Sequence, residues 1–151
     1  MLSSRAKYAL RACVHLARQD DTRKWTLTAE IAAAEDIPRK FLEAILVELR
    51  DYGILESRRG RHGGYRLTRQ PEEIAASELI RIVDGPLALA PCASKTQFGP
   101  CADCLDLREC ALRPMLRKAR DAIAAVLDEY SLALLAHKKP VKRGAHGAKA
   151  A

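Results

Sequence analysis

The segment IPRKFLEAILVELRDYGILESRRGRHGGY, residues 37–65, sets the architecture of this chain. Four apolar side chains in its first half follow the i, i+3, i+4, i+7 spacing of a buried helix face: Leu42, Ile45, Leu46 and Leu49. This spacing predicts a helix over residues 38–52 that ends at Gly53. Two short strands follow, at residues 54–58 and 65–68, joined by a glycine-rich basic turn. A helix followed by such a hairpin is typical of a winged helix-turn-helix.

The residues before this segment supply two further helices. Apolar positions recur at helical spacing over residues 3–19. Thr26 or Thr28 is predicted to cap a shorter helix that ends at Glu35. Three helices and a hairpin in this order predict a winged helix-turn-helix DNA-binding domain over residues 1–70, whose last helix enters a major groove.

The region after the hairpin, residues 71–137, is predicted to hold a cysteine loop and a dimerisation helix. A short helix is expected from Ser77, as its N-cap, to Asp84. A loop over residues 86–110 contains four of the five cysteines. Loops of this length without periodicity are uncommon in compact domains and tend to be functional or disordered.

A long helix is predicted from Ala111 to about Ala136. Its apolar side chains form a heptad-type seam: Leu112, Leu116, Ala119, Ile123, Leu127, Tyr130 and Leu134. Such a seam exceeds what a small domain buries internally, so the helix is expected to pack on its copy in a homodimer. The fold class predicted is mainly α with a small β-hairpin, a winged helix-turn-helix domain plus this long dimerisation helix. Residues 138–151 are predicted to be a basic disordered tail.

Composition and charge narrow the function. The 151 residues are 48% hydrophobic and 30% charged, as in globular proteins. No stretch approaches the roughly 20 apolar residues that cross a membrane, so we expect a cytoplasmic protein without a membrane partner. The 26 Lys and Arg residues exceed the 19 Asp and Glu residues, and much of the excess lies in residues 1–70. A basic domain of this kind favours binding to double-stranded DNA.

Particular side chains are candidate DNA contacts. On the third helix, Arg39 and Lys40 lie in the first turn, which contacts bases or phosphates in helix-turn-helix proteins. Glu43 either accepts a hydrogen bond from cytosine N4 or pairs with Arg39 or Lys40 on the helix surface. The hairpin contributes guanidinium groups suited to phosphate or a narrow minor groove. The full set of candidates is Thr28, Arg39, Lys40, Glu43, Arg58, Arg59, Arg61 and His62.

The cysteine loop carries the second candidate site, Cys92-x8-Cys101-x2-Cys104-x5-Cys110. Four thiolates on one loop suit a tetrahedral zinc, and three of them with a further ligand suit an iron–sulfur cluster. A reversible disulfide switch is the third possibility. Cys13, on the apolar face of the first helix, is interpreted as a small buried hydrophobe. The sequence contains no Ser/His/Asp set, phosphate-binding loop or paired catalytic carboxylates, so the chain is predicted not to be an enzyme.

Several motifs together resemble the Rrf-type family of bacterial winged-helix regulators (IscR, NsrR and CymR type). They are KYALR at residues 7–11, IPRKFLE at 37–43, LRDYGIL at 49–55, RRGRHGGY at 58–65 and IVDG at 82–85. The resemblance covers residues 1–136. It implies a homodimeric transcription factor that binds a near-palindromic operator, with the long helix crossing between subunits.

The resemblance also implies a role for the cysteines. In the cluster-binding members three loop cysteines ligate a [2Fe-2S] or [4Fe-4S] cluster, and Cys92, Cys104 and Cys110 resemble those positions. Arg113 and Lys7 stand where members carry a fourth ligand, so Cys101 is an additional candidate. The function predicted is a regulator whose cysteine loop senses redox, iron–sulfur or nitric-oxide status through a bound cluster. The alternative is the same regulator with a structural zinc or a thiol–disulfide switch and no cluster.

Overall fold

Helices and one hairpin make up the part of the chain that the computed structural model describes, residues 2–19, 21, 23–104 and 106–137. The elements are α1 (Ser4–Ala17), α2 (Thr28–Glu35), α3 (Arg39–Asp51), β1 (Leu55–Arg58), β2 (Gly64–Leu67), α4 (Ala76–Asp84), α5 (Arg113–Glu129) and α6 (Leu132–His137). Short 3₁₀ turns lie at Pro71–Glu73 and Pro91–Ala93. The predicted fold class, mainly helical with a small β-hairpin, is confirmed. The predicted tail, residues 138–151, lies outside the described residues.

The core forms where α1, α3 and α4 pack on one another. All four side chains of the predicted α3 face are buried: Leu42, Ile45, Leu46 and Leu49. Burying a side chain of this size stabilises the fold by about 1.5–3 kcal/mol relative to exposure. The Ser3 hydroxyl caps α1 by accepting a hydrogen bond from the Ala6 N–H at 2.9 Å. Gly53, with a φ of 77°, follows α3 as predicted.

The hairpin is tied to the start of α2 by a third extended segment. Strands β1 and β2 pair antiparallel, with Leu55 opposite Leu67. The Thr26 N–H donates to the Tyr65 carbonyl at 3.0 Å, and the Tyr65 N–H donates back at 2.8 Å. Gly64 has a φ of 129°, and a Cβ there would collide with the Thr26 carbonyl. The fixed approach of hairpin to helix therefore depends on glycine at this position.

Two predicted helix caps are wrong. The N-cap of α2 is Leu27, whose N–H donates to the Glu30 carboxylate at 3.2 Å, because Thr26 is engaged in the bridge to the hairpin. The N-cap of α4 is Ala75. Ser77 lies inside α4 and is buried, where its hydroxyl donates to the Asp128 carboxylate of α5.

The predicted long helix is interrupted. Helix α5 ends at Glu129, and Tyr130 is extended, with φ −90° and ψ 95°. The Tyr130 carbonyl accepts from the Ala76 N–H at 2.8 Å, and the Leu132 N–H donates to the Ile74 carbonyl at 2.9 Å. This strand-like pairing, together with the complete burial of Leu132, outweighs continuation of the helix. Tyr130 and Leu134 therefore do not extend the apolar seam on the same helix.

Helix α5 buries an arginine and exposes apolar side chains. Arg120 is the buried residue of this helix, and its guanidinium donates to the Ala93 carbonyl and to Asp121. Several large apolar side chains of the same segment are exposed: Leu112, Met115, Ile123 and Val126. Within this chain, α5 therefore buries an arginine and leaves an apolar face uncovered. Among the described helices, none is long and apolar enough to cross a membrane.

Candidate nucleic-acid interface and cysteine cavity

A basic groove lies between the start of α2, helix α3 and the hairpin. Its volume is about 400 Å³. The polar side chains along it include Thr28, Arg39, Arg50, Arg58 and Arg59. Four of these five are candidates from the sequence, and the fold brings them together from three separate elements. Guanidinium groups that converge on one groove suit a phosphate backbone.

The remaining candidates lie outside this groove. Lys40 and Glu43 are exposed on α3. Arg61 and His62 are exposed at the tip of the hairpin, between the two strands. All four are close in sequence to residues that line the groove, but they do not line it themselves.

Arg39 and Glu43 form an ion pair on the surface of α3. The Arg39 Nε donates to the Glu43 Oε1 at 2.8 Å, and the two side chains are 67% and 49% exposed. This pair is one of the two alternatives for Glu43 that the sequence left open. An exposed pair at i and i+4 contributes only about 0.3–0.5 kcal/mol, so it holds Glu43 weakly.

Arg50 is a groove residue that the sequence reasoning missed. Its guanidinium donates to the Asp51 carboxylate, with 2.7 Å between Nη2 and Oδ1, and this contact raises the pKa of Arg50. The helical period could have indicated Arg50, because it lies eleven positions after Arg39 and therefore on the same side of the helix. What the period alone did not reveal is that the hairpin lies against that side.

The four loop cysteines line a second cavity, of about 550 Å³. Their thiols lie close enough to influence one another: Cys101, Cys110 and Cys104 act on Cys92, and Cys110 and Cys101 act on Cys104. Burial, followed by the neighbouring sulfur groups, raises the pKa of Cys92 and of Cys104. Leu112 and Leu116, from the predicted seam of α5, line the same cavity.

The donor chemistry of this cavity fits an iron–sulfur cluster or zinc, since both bind soft thiolates. A positive metal centre would also relieve the mutual repulsion of neighbouring thiolates. Among the described residues, however, no group of three or more His, Cys, Asp or Glu side chains is placed to hold a single metal ion.

Cys13 is separate from this set. It is fully buried in α1, and burial raises the pKa of its thiol to about 12. A thiol of this kind is a weak nucleophile and a weak ligand. Its position agrees with the interpretation of Cys13 as a buried hydrophobe.

Comparison with known proteins identifies the family. The model of the Rrf2 family, described as "Iron-dependent Transcriptional regulator", matches residues 2–138. The chain belongs to the Rrf2 family. An rrf2-like HTH-type transcriptional regulator of Rhodobacter capsulatus is 38% identical over 135 residues, which cover 87% of this chain and 89% of the relative.

Other Rrf2 relatives agree with this assignment. The HTH-type transcriptional regulator NsrR of Geobacillus kaustophilus is 36% identical over 132 residues, covering 87% of this chain and 86% of the relative. The solved structure of CymR, the global cysteine regulator of B. subtilis, has a TM-score of 0.72 and 29% identity, covering 90% of this chain and 95% of the other. These relatives are named as regulators, which confirms the predicted resemblance and the prediction of a regulator rather than an enzyme.

Proposed function

We propose that this Rrf2 protein is a homodimeric repressor or activator that binds a near-palindromic operator and responds to the chemistry of its cysteine loop. The observation that carries the DNA-binding part is the basic groove. Thr28, Arg39, Arg58 and Arg59 converge there from α2, α3 and the hairpin. Each half of the operator would then meet one such groove.

The groove residues have different roles in this proposal. Arg58 and Arg59 contact phosphates or the minor groove beside the hairpin, with Arg61 and His62 at its tip. Thr28, at the first position of α2, offers its hydroxyl and the helix N-terminus to a phosphate. On α3, Arg39 and Lys40 contact phosphates or bases, and Glu43 accepts from cytosine N4. The Arg39–Glu43 pair opens when DNA is bound, because an exposed pair is weak.

The uncovered face of α5 supports the homodimer. Leu112, Met115 and Val126 are each more than half exposed, and Ile123 is exposed beside them. A contiguous apolar face on a helix that is otherwise packed against the rest of the chain is best buried against a second copy. In this organisation residues 1–70 bind DNA and residues 71–137 carry the cysteine loop and the dimer contact. Residues 138–151 add a basic tail with nonspecific affinity, and the protein acts in the cytoplasm.

The cysteine cavity is the proposed sensor. Cys92, Cys101, Cys104 and Cys110 would hold a [2Fe-2S] or [4Fe-4S] cluster, and the family description as iron-dependent supports this choice. When bound, such a cluster supplies a centre that reacts to redox state, iron supply or nitric oxide. Zinc held by the same four thiols is the structural alternative.

A thiol–disulfide switch is the second candidate for the sensor, and one observation favours it. All four thiols line one cavity, and neighbouring sulfurs contribute to the raised pKa of Cys92 and of Cys104. An oxidant such as an organic disulfide could then join neighbouring loop thiols as a disulfide, being itself reduced to thiols. CymR, the relative with a solved structure, is described as the global cysteine regulator, which is consistent with a sulfur-based response.

Coupling between sensor and dimer follows from shared side chains. Leu112 and Leu116 line the cysteine cavity and also begin the seam of α5. A change in the loop therefore alters packing where the two subunits meet, and the spacing of the two grooves changes with it.

Two measurements test the proposal. Protein purified without oxygen is examined by visible absorption and by iron, sulfide and zinc analysis, and operator DNA is selected from a random duplex library. A brown protein that contains iron and sulfide supports the cluster. A colourless protein with one zinc per chain supports the structural alternative. A metal-free protein whose loop oxidises reversibly supports the thiol switch. Protein that selects no duplex in any of these states contradicts the DNA-binding proposal.

A further inference from the structure

A third cavity, of about 380 Å³, lies at the start of α5 and is distinct from the DNA groove. Its lining includes four cationic side chains, Arg108, Arg113, Arg117 and Lys118, together with Cys110. None of these cations belongs to the proposed DNA interface or to the exposed apolar face of α5.

The positive charge of this cavity is not neutralised by the protein. Asp121, its acidic lining residue, is already engaged by Lys95, with 3.0 Å between Nζ and Oδ1, and by Arg120. Across the described part of the chain, Arg108, Arg117 and Lys118 have no acidic side chain within ion-pair distance. The cavity therefore concentrates cations that have no counter-charge.

Arg113 joins these cations through contacts that leave its charge unpaired. Its Nε donates to the Cys92 carbonyl at 3.3 Å, and its guanidinium lies 5.6 Å from the centre of the Phe98 ring. Arg113 and Arg117 are also four positions apart on α5, where like charges repel. The first turn of the helix contains no acidic residue to offset them. Binding of an anion would relieve this repulsion.

We propose that the cavity binds a small phosphate-bearing anion. Guanidinium groups match phosphate oxygens in a bidentate manner, and lysine adds a point charge. The volume falls within the range of about 300–1,000 Å³ typical of small-molecule sites. A phosphate group with a small organic part fits this size.

The position of the cavity makes the anion a regulator of the cysteine loop. Cys110 lines both this cavity and the cysteine cavity. Arg113 connects the anion site to the Cys92 backbone through its hydrogen bond. An anion that draws Arg113 and Arg117 together would thus act on two cysteines of the loop, Cys92 and Cys110. This inference goes beyond the proposed DNA-binding function and does not depend on it.

The test uses inorganic pyrophosphate as the probe. Calorimetric titration of the full chain at constant ionic strength should give one saturable site per chain. Arg117→Ala with Lys118→Ala should weaken binding at least about tenfold, because two charged contacts are lost. Arg23→Ala with Lys24→Ala is the matched control: both side chains are exposed and lie far along the chain from this cavity, and the change should be less than about twofold.

Two outcomes overturn the inference. One is pyrophosphate binding that is equal in wild type and in the Arg117/Lys118 double variant, or affected equally by the control. The other is loss of DNA affinity in the double variant with no saturable pyrophosphate site, which would make the cations contacts to the DNA backbone. Arg117 and Lys118 are exposed, so the fold should persist. If the double variant unfolds, the single variants Arg117→Gln and Lys118→Gln give the same test.

Discussion

In the free protein the Glu43 carboxylate is paired with Arg39, and the proposed contact with cytosine would require this pair to open. The Glu43 Oε1 lies 2.8 Å from the Arg39 Nε, and both side chains are exposed. Such a pair is worth about 0.3–0.5 kcal/mol, whereas a specific side-chain contact to a base is worth about 1–3 kcal/mol. The contact to a base is the stronger of the two, so it should replace the ion pair. The ion pair therefore pre-positions Glu43 without preventing base recognition.

Glu43→Gln should change base preference. Glutamine has nearly the same shape but carries an amide, which favours adenine over cytosine. We expect a shift of about tenfold in preference at one base pair of each half-site. Selection of duplexes from a random library with both proteins measures this shift. Identical selected motifs would mean that Glu43 serves only as the ion-pair partner of Arg39.

Arg59→Ala should weaken DNA binding without altering the preferred sequence. Arg59 lies in the basic groove and has no ion-pair partner among the described residues. Loss of one phosphate contact should reduce the slope of log affinity against log salt by about 1. Titrations at several salt concentrations measure the slope. Arg69→Ala, whose side chain pairs with Glu78 away from the groove, is the control and should leave the slope unchanged.

A residue could be predicted from the sequence when its role depends on neighbours along the chain, and not when it depends on a distant segment. Leu42, Ile45 and Leu49 were predicted as core because the helical period that defines them is local. Arg50 was missed because its place in the groove depends on the hairpin. The Thr26 cap was wrong for the same reason, since that residue bonds to Tyr65, 39 positions later. Local pattern identifies which side of an element is buried, but not which other element covers the opposite side.

Helix α5 has an unusual division of its surface. Its buried residue is Arg120, while Ile123 and Val126 are exposed. Within one protomer this arrangement leaves apolar area in water, which costs free energy roughly in proportion to that area. Two copies packed through this face would remove the cost. The proposed homodimer would bury this face.

Ile123→Asp should dissociate the dimer. A carboxylate in an apolar contact loses its hydration without gaining a partner, so the variant should be monomeric at concentrations where the wild type is dimeric. Sedimentation equilibrium measures the mass. Ala125→Asp introduces the same charge into the same helix at an exposed position turned about 160° away, by the helical period, and should leave the dimer intact. Dissociation by both variants, or by neither, contradicts the assignment of this face.

The contact between α4 and α5 should depend on pH. The Ser77 hydroxyl and the Arg81 guanidinium both donate to the Asp128 carboxylate, and these contacts lower the pKa of Asp128. As the pH falls, the unfolded chain takes up this proton first, near its ordinary pKa of about 3.9. The stabilisation is thus complete above about pH 4 and is lost as the pH falls through the lower pKa of the folded state.

Asp128→Asn tests this contact. The substitution should lower the free energy of unfolding by about 1 kcal/mol at neutral pH, and the difference from wild type should shrink in acid. Urea unfolding at matched protein concentration, at neutral pH and near pH 3, measures both values. Glu129→Gln, one position away and without an ion-pair partner in the described residues, should have little effect at either pH. A difference that grows in acid would contradict the sign of the shift.

Interruption of the long helix shows why its length was overestimated. Heptad spacing continues through Tyr130 to Leu134, so the pattern alone favours one helix. The break comes from hydrogen bonds to Ile74 and Ala76, more than fifty residues earlier. The sequence thus predicted that a helix exists here, whereas hydrogen bonds to a distant segment determine that α5 ends at Glu129.

The cysteine cavity, the cationic cavity and the exposed apolar face of this Rrf2 protein meet at the start of α5. Leu112 lines the cysteine cavity and belongs to the exposed apolar face, and Cys110 lines both the cysteine cavity and the cationic cavity. The DNA groove lies in another part of the chain and shares none of these residues. Under the proposed function, a signal at the cysteines would therefore reach DNA through the relative placement of the two subunits. Leu112, which lines the cysteine cavity and lies on the proposed dimer face, would connect the two.

The state of the cysteines should accordingly change DNA affinity without any change in the groove. Coupling free energies between sites are typically about 1–3 kcal/mol, so reduced and oxidised protein should differ in affinity by at least about fivefold. Cys104→Ala should remove most of this difference while retaining DNA binding, because the variant loses a loop thiol and no groove residue. Fluorescence anisotropy with a selected operator, before and after treatment with an organic disulfide, measures it.

Cys13→Ala is the matched control for that experiment. Its thiol is fully buried, and its pKa is raised to about 12, so it forms little thiolate and should not react with the disulfide. The affinity difference of this variant should therefore equal that of the wild type. If Cys104→Ala kept the full difference, or Cys13→Ala abolished it, the response would not originate in the loop. The link from loop sulfur through α5 to the spacing of the two grooves would then be wrong, even with DNA binding intact.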